Sequence, residues 1–234
     1  MDEETEPFCR WASGGPRMID LHTHTLFSDG ELLPSELVRR AEIIGYQAVA
    51  LTDHADSSNL DWIIPRIVQA CQDLNAHWKI RAIPGIELTH LPPGIIGRMV
   101  EKARVLGARL VVVHGESVVE PVPPGTNRKA LEAGVDILAH PGLISEGEVV
   151  LAREKKVFLE ISARKGHSLA NGHVARLAQK CGAPMILNTD SHSPDDLITL
   201  EKARVIALGA GLEEEGFARM LQNSRRILER LSLE

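Results

Sequence analysis

The sequence is poor in cysteine and in aromatic residues, and it contains no long apolar run. Its 234 residues include three cysteines, none in a CxxC pair, which argues against a disulfide framework and predicts a reducing, cytoplasmic setting. Aromatic residues make up 3% of the chain, so no aromatic stripe for stacking on bases is present. No apolar stretch approaches the roughly 18 residues that a membrane-spanning helix needs.

Positive charge is not in excess either. The chain carries 26 Lys and Arg against 32 Asp and Glu, a net charge of −6. This balance argues against a broad nucleic-acid or membrane footprint, although a small anionic substrate remains compatible with it because a bound metal ion would not enter the sum. We expect residues 1–17 to be a loose N-terminal extension and residues 18–234 to be a single domain, since no linker divides them.

Seven short apolar runs recur along the chain and are typical of strands covered on both faces. They are Met18–Leu21, Ala48–Thr52, Ala82–Glu87, Leu110–Val113, Asp136–Ala139, Val157–Ile161 and Met185–Asn188. Amphipathic helical patterns lie between or after them, at Leu33–Ile44, Gly97–Leu106, Asn127–Ala133, Ser145–Glu154, Asn171–Lys180 and about Glu213–Leu231. Seven βα units predict a barrel of the TIM type that is one unit short of eight, and the alternative is an open doubly wound sheet.

Six of the ten histidines lie at the carboxyl ends of these predicted strands, where chance would put about one. They are His22, His24, His54, His114, His140 and His192, and they are accompanied by Glu87 and Asp190. In a parallel barrel all of these ends meet at one face, so residues that are distant in sequence converge.

Strand geometry also orients the pairs. Residues i and i+2 point the same way, so His22 and His24 should both face the barrel interior, as should Asp190 and His192. Imidazoles and carboxylates gathered in one pocket are costly to bury without a partner, and a divalent metal ion removes that cost. A lone histidine of this kind is more often an ordinary hydrogen-bonded residue, whereas the full set favours metal.

Six segments together resemble the PHP (polymerase and histidinol phosphatase) family. They are "DLHTHTLFSDG", "ALTDHAD", "PGIE", "VVHGE", "DILAHPG" and "LNTDSH", in family order between about Met18 and Pro194. The resemblance implies a distorted (β/α)7 TIM-like barrel with a trinuclear metal site at the carboxyl ends of the strands. It implies one ion on His22, His24, Glu87 and Asp190, a second on Glu87, His114 and His140, and a third on Asp29, His54 and His192.

These ligands predict a metal-dependent phosphoesterase. Three divalent ions bring about +6, which three carboxylates and a bridging hydroxide reduce to about +2, a charge that attracts a phosphate dianion. The bridging hydroxide is the expected nucleophile, and Zn, Mn and Fe all suit the donor set. We expect Glu87, Asp190 and His192 to take part in catalysis as well as in metal binding. Histidinol phosphate, and with it histidine biosynthesis, is a candidate context that comes from the resemblance.

The loop after the sixth strand, "SARKGHSLANG", supplies candidate substrate contacts. Arg164 and Lys165 could bind phosphate oxygens, and His167 could contact substrate and protonate a leaving alkoxide. An ordinary surface-loop role is the alternative for Arg164 and His167. Among the remaining histidines, His90 could line the pocket, but no ligand role is assigned to it.

Two other functions stay open. An exonuclease or phosphodiesterase acting on nucleic acid is within the range of the family, but the acidic net charge ranks it lower. A metal-dependent amidohydrolase would use the same hydroxide to attack a carbonyl carbon. The positive charges of Arg164 and Lys165 favour a phosphate substrate over such a carbonyl substrate. We therefore predict a small phosphorylated substrate and no membrane partner.

Overall fold

The computed structural model describes residue 15 and residues 17–233. The predicted extension over residues 1–17 lies almost wholly outside this part of the chain, so it stays a prediction. Among the described residues, no helix combines the length and the apolar composition needed to cross a bilayer.

The described chain folds around a parallel sheet. Its strands are β1 (Ile19–Asp20), β2 (Ala48–Leu51), β3 (His54–Ala55), β4 (Arg81–Leu88), β5 (Leu110–His114), β6 (Ile137–Ala139), β7 (Phe158–Ser162) and β8 (Met185–Asn188). β2 and β3 both pair with β4, β2 with its first half and β3 with its second, so together they fill one position in the sheet. The strands therefore occupy seven positions, in the order of the chain.

The two ends of the sheet meet just beyond β1 and β8. Thr23 forms a parallel bridge with Ser191. The His24 amide donates to the Ser191 carbonyl at 2.8 Å, and the Asp190 amide donates to the His22 carbonyl at 2.9 Å. These bonds make a nearly closed barrel of seven parallel strands, as predicted, and they rule out the open doubly wound sheet.

Eight helices surround the described strands. They are α1 (Pro34–Ile44), α2 (Leu60–His77), α3 (Ile96–Val105), α4 (Thr126–Ala133), α5 (Glu146–Lys155), α6 (Asn171–Cys181), α7 (Leu200–Gly209) and α8 (Glu214–Leu233). Six agree with the predicted bounds to within a residue or two, whereas the sequence prediction gives no bounds for α2 and α7. α1 ends where Gly45 adopts φ 101°, a conformation that glycine takes without strain, and its amide bonds the Ala41 carbonyl.

The last helix covers the amino-terminal end of the barrel. Ile227, Leu228 and Leu231 belong to the apolar cluster that fills the barrel interior, together with strand residues such as Ile19 and Leu110. The Leu231 carbonyl also accepts from arginines at the starts of two strands, Arg81 on β4 and Arg109 before β5, each at 3.1 Å. With this end closed by apolar packing, the polar residues of the barrel gather at the opposite, carboxyl-terminal face.

Candidate metal centre

All nine predicted ligands converge at the carboxyl-terminal face. His22 and His24 directly follow β1, and Glu87 lies near the end of the long strand β4. The Glu87 Oε2 atom lies 3.4 Å from His22 Nε2 and 3.6 Å from His24 Nε2. Asp190 Oδ1, beyond β8, lies 3.7 Å from His22 Nε2 and 3.2 Å from His24 Nε2. Each carboxylate is thus close to both imidazoles with which it is predicted to share an ion.

A second group lies around the loop that follows β1. Asp29 Oδ1 is 3.6 Å from His54 Nε2 and 3.2 Å from His192 Nε2. His24 joins these residues, since its ring centroid lies 4.1 Å from those of both His54 and His192, and the four donors can serve a common ion. The resemblance groups His24 with His22, Glu87 and Asp190, but the structure places it between the two groups.

The third group contains one histidine more than the sequence assigns to it. His114 and His140 have ring centroids 4.4 Å apart, and His140 Nε2 lies 3.7 Å from Glu87 Oε1. His167 stacks on His140 at 4.0 Å, and the three rings can offer donors to one ion. Glu87 therefore faces this group with Oε1 and the first group with Oε2.

Several of these donor atoms are buried without a partner. Among the described residues, Glu87 Oε1, both ring nitrogens of His24, His22 Nε2 and His140 Nδ1 are buried and make no hydrogen bond, while Glu87 Oε2 lies 2.7 Å from His54 Nδ1. Each such atom costs about 1–3 kcal/mol, and more when it belongs to a charged group. A divalent ion coordinated by imidazole and carboxylate would satisfy them, so the donor set fits divalent metal ions.

Electrostatics at the centre reflect this crowding. Burial raises the pKa of Asp190 to about 7 despite the nearby His22, and the Glu87 carboxylate adds to the rise. Burial would raise the pKa of Glu87 too, but His22 and His54 outweigh it and hold that pKa well below its usual range. Like-charged carboxyls brought this close need cationic neighbours if both are to be ionised.

Backbone strain is concentrated at the same face. His140 adopts φ 26° and Asp190 φ 54°, both in the left-handed region that side chains other than glycine rarely adopt. His90, in the loop after β4, has φ 51°. Strained residues of this kind persist where the surrounding structure holds them, which is common at functional sites.

A buried carboxylate that the sequence prediction did not assign supports the ligands from behind. Glu160, on β7, accepts from His22 Nδ1 at 2.8 Å, from the Asn188 side chain at 2.8 Å and from the His140 amide at 3.1 Å. Such contacts set the orientation of ligand imidazoles. A signal was present in the sequence, because a glutamate inside the apolar run "FLEIS" is seldom buried unless it is paired.

A second buried carboxylate holds the loop that carries Asp29. Asp53 accepts from the Thr25 amide at 2.8 Å and from the Ser28 hydroxyl at 2.9 Å. It thereby fixes the turn directly before Asp29, the candidate ligand that is furthest from a strand.

Two of the three predicted substrate residues lie at the cluster. Arg164 is 30% exposed, donates from Nη1 to the Asp190 carbonyl at 3.2 Å and lies 2.7 Å from His192 Nδ1. His167 is buried, with Nδ1 2.6 Å from the Ser117 hydroxyl. Lys165 is exposed, and in the part of the chain that the structure describes no ion pair connects it to the cluster.

Glu120 reaches the cluster from a loop, and the sequence prediction did not include it. Its Oε2 atom lies 3.0 Å from His114 Nε2 and 3.2 Å from His90 Nε2, and its Oε1 atom lies 3.4 Å from His167 Nε2. The surrounding segment, "SVVEPVPPG", has no periodicity that would predict where a side chain points.

The PHP domain profile matches residues 20–166, which include seven of the nine candidate ligands. The chain belongs to the PHP domain family. The PHP resemblance drawn from the short motifs is therefore confirmed. The sequence is 47% identical to an uncharacterised protein of Methanocaldococcus jannaschii over 91% of this chain and 99% of that protein. It is also 26% identical to the DNA polymerase/3'-5' exonuclease PolX of Bacillus subtilis over 90% of this chain, but over only 41% of that longer protein.

Solved structures agree with the fold. The histidinol phosphate phosphatase of Lactococcus lactis, determined with zinc, L-histidinol and phosphate, aligns with a TM-score of 0.55 at 19% identity. The alignment covers 83% of this PHP-domain chain and 94% of that enzyme. At this identity the likeness establishes the barrel and leaves the substrate open.

Proposed function

We propose that this PHP-domain protein is a metal-dependent phosphoesterase that hydrolyses a small phosphate monoester. The observation that carries the proposal is the convergence of nine imidazole and carboxylate donors, several buried without a partner, beside the half-buried Arg164. Histidinol phosphate is the first candidate substrate, because a structural neighbour of similar size acts on it.

The donors are assigned to three ions as the resemblance to the PHP family implies. One ion would bind His22, His24, Glu87 and Asp190; a second would bind Glu87, His114 and His140; a third would bind Asp29, His54 and His192. Glu87 is suited to bridge the first two, since its oxygens face different groups. Zn, Mn and Fe all tolerate this mixture of donors.

Divalent ions at these positions would activate water as a nucleophile at neutral pH and polarise the phosphoryl oxygens. The protein's own residues would position the substrate. Arg164 is at the rim of the cluster, where its guanidinium can bind phosphate oxygens in two-point contact. Lys165, exposed on the same loop, would add positive charge along the approach to the site.

His167 is proposed to lie next to the leaving group. Burial lowers the pKa of His167 to about 4, against the opposing effect of Glu120, and His114 adds to the decrease. The ring is therefore neutral near pH 7, and a role as proton donor requires that the phosphate dianion raise this pKa on binding. A bound substrate next to Nε2 would supply that charge.

A substrate panel tests the proposal. Purified protein loaded with Mn or Zn is assayed on histidinol phosphate, sugar phosphates and nucleoside monophosphates, with metal content measured in parallel. We expect hydrolysis of at least one monoester and close to three ions per chain. His22→Ala should reduce the rate at least about 100-fold, which corresponds to about 2.7 kcal/mol of activation free energy.

His77→Ala is the matched control, because His77 is exposed at the end of α2 and bonds a carbonyl of its own helix. Its activity should equal that of the wild type. Full activity in the His22 variant, or a metal content near zero after expression with ample metal, would contradict the proposed site.

A nuclease is the second candidate, favoured by the similarity to PolX. The net charge of −6 gives no broad binding surface for a polyanion. Single-stranded DNA and a bis-nitrophenyl phosphodiester belong in the same panel, together with an amide substrate for the amidohydrolase alternative. Faster turnover of the diester or of DNA than of every monoester would favour the nuclease.

A further inference from the structure

Glu120 lies in the loop between β5 and α4 and directs its carboxylate toward the candidate metal centre. The side chain is 37% exposed, yet both of its oxygens face histidine nitrogens of the cluster. The nearest is His114 Nε2, 3.0 Å from Oε2. His90 Nε2 approaches the same oxygen at 3.2 Å.

The hydrogen bond behind the His114 ring determines which of its nitrogens is left to face Glu120. Its Nδ1 atom lies 3.0 Å from the Gly115 carbonyl oxygen, which can only accept, so Nδ1 carries the hydrogen of that bond. In a neutral ring, Nε2 then presents a lone pair. Because the Glu120 carboxylate also presents lone pairs, a contact of 3.0 Å needs positive charge between the two atoms, which a divalent ion or a proton supplies.

His22 shows the same arrangement among the predicted ligands. Its Nδ1 is held by an acceptor, Glu160, and its Nε2 faces the carboxylate of Glu87 at 3.4 Å. His114 repeats this pattern, with the Gly115 carbonyl as the acceptor behind the ring and Glu120 in front of it. Neighbouring ligands of one metal ion are separated by distances of this size, because each lies about 2.0–2.2 Å from the ion.

We propose that Glu120 is a tenth protein ligand of the metal centre, binding through Oε2 the ion that His114 holds. His90 Nε2 is close to the same two atoms, so imidazole and carboxylate donors, a mixture that suits transition metals, also meet on this side of His114. The inference rests on the metal centre of the proposed function. It assigns to the β5–α4 loop a ligand that the strand ends do not supply.

Metal competition tests the role of Glu120. The wild type and Glu120→Gln are freed of metal and titrated with zinc against a chromophoric chelator, and Co(II) spectra are recorded on the same samples. We expect one ion of the variant to bind at least about 10-fold more weakly, because even the loss of a residue that only supports a ligand has that effect. The Co(II) absorption of that site should also change.

Glu201→Gln is the matched control. Glu201 is an exposed glutamate on α7 whose ion partner is Arg204, and its substitution should leave zinc affinity unchanged. If Glu120 only pairs with a protonated His114, its neutralisation frees Nε2, and zinc affinity stays equal or rises; that result overturns the inference. If the wild type itself binds no ion, both the proposed function and this inference fail. If the wild type binds metal and Glu120→Gln binds it equally well, only the inference fails.

Discussion

At the scale of single residues, the ligand histidines depend on what lies behind their rings. His22 is fully buried, and its Nδ1 hydrogen is directed to Glu160 at 2.8 Å. The same carboxylate receives the amide of His140, so one side chain on β7 supports candidate ligands from β1 and β6. Glu160 therefore sets the ring orientation of His22 and the backbone position of His140, which are needed before either can coordinate a metal ion.

Substitution of Glu160 should weaken metal binding without removing a ligand. We expect Glu160→Gln to lower the affinity of the ion on His22 or of the ion on His140 by about 10–100-fold, because Gln has one oxygen and cannot accept from both His22 Nδ1 and the His140 amide. Competition with a chelator measures this affinity, and the Asn188 contact at 2.8 Å should survive in part.

Glu229→Gln is the control for the loss of one negative charge, because Glu229 is an exposed glutamate on α8. If Glu160→Gln binds metal as tightly as Glu229→Gln does, then the ring of His22 needs no support from β7. Thermal unfolding of both variants in the metal-free form separates a change in metal affinity from a change in folding.

Residue positions could be predicted from the sequence where the backbone dictates direction. His22, His24 and Glu87 follow from strand ends and from the alternation of side chains, and their distances of 3.4 and 3.6 Å agree with that reasoning. Glu120 and His90 approach through loops, whose paths depend on long-range packing. Nothing in their local sequence reports that packing.

At the scale of elements, each end of the barrel has a different task. The carboxyl-terminal ends of the strands carry the polar cluster, and the closure between Thr23 and Ser191 joins the segments that carry His22, His24 and Asp190. The amino-terminal end is filled by α8. Residues at the carboxyl-terminal ends of the strands therefore form the candidate site, whereas residues nearer the amino-terminal ends stabilise the fold.

Helix α8 should be a main source of stability. Ile227 is 1% exposed and packs against the apolar interior of the barrel, so Ile227→Ala should lower the free energy of unfolding by about 2–5 kcal/mol through lost burial and a residual cavity. Urea denaturation measures the change. Glu229→Ala, exposed on the same helix, should change stability by less than about 0.5 kcal/mol. An equal effect of the two substitutions would mean that α8 does not pack into the barrel in solution.

Two helices, α2 and α7, could not be predicted from the sequence pattern. α2 contains Pro65 in its first half, and proline inside a helix removes a backbone donor and normally argues against one. Tertiary packing prevails here, since Ile63, Ile64 and Ile67 are all buried. α7 buries only the small residues Ala203 and Ala207, which leaves little amphipathic contrast to detect.

At the scale of the whole molecule, overall charge and local charge act in opposite directions. The net charge of −6 repels polyanions at long range. Three divalent ions would instead give the carboxyl-terminal face a local positive charge, which is strong at short distances and screened beyond about 8–10 Å at physiological salt. A small phosphate that reaches the face is attracted, whereas a long nucleic acid must also approach the acidic remainder of the surface.

Metal binding should stabilise the entire fold, since the nine candidate ligands come from the ends of most of its strands. A site held at 100 times its dissociation constant adds about 2.7 kcal/mol of stability, which for a chain of this size raises Tm by at least about 5 °C. Calorimetry with and without saturating zinc or manganese measures the shift, and a chelator should reverse it. His22→Ala should lose much of the increase, and His77→Ala should keep it. A wild-type Tm that does not respond to these ions would mean that the buried carboxylates and imidazoles are satisfied in another way, and the assignment of the face as a metal centre would then be wrong.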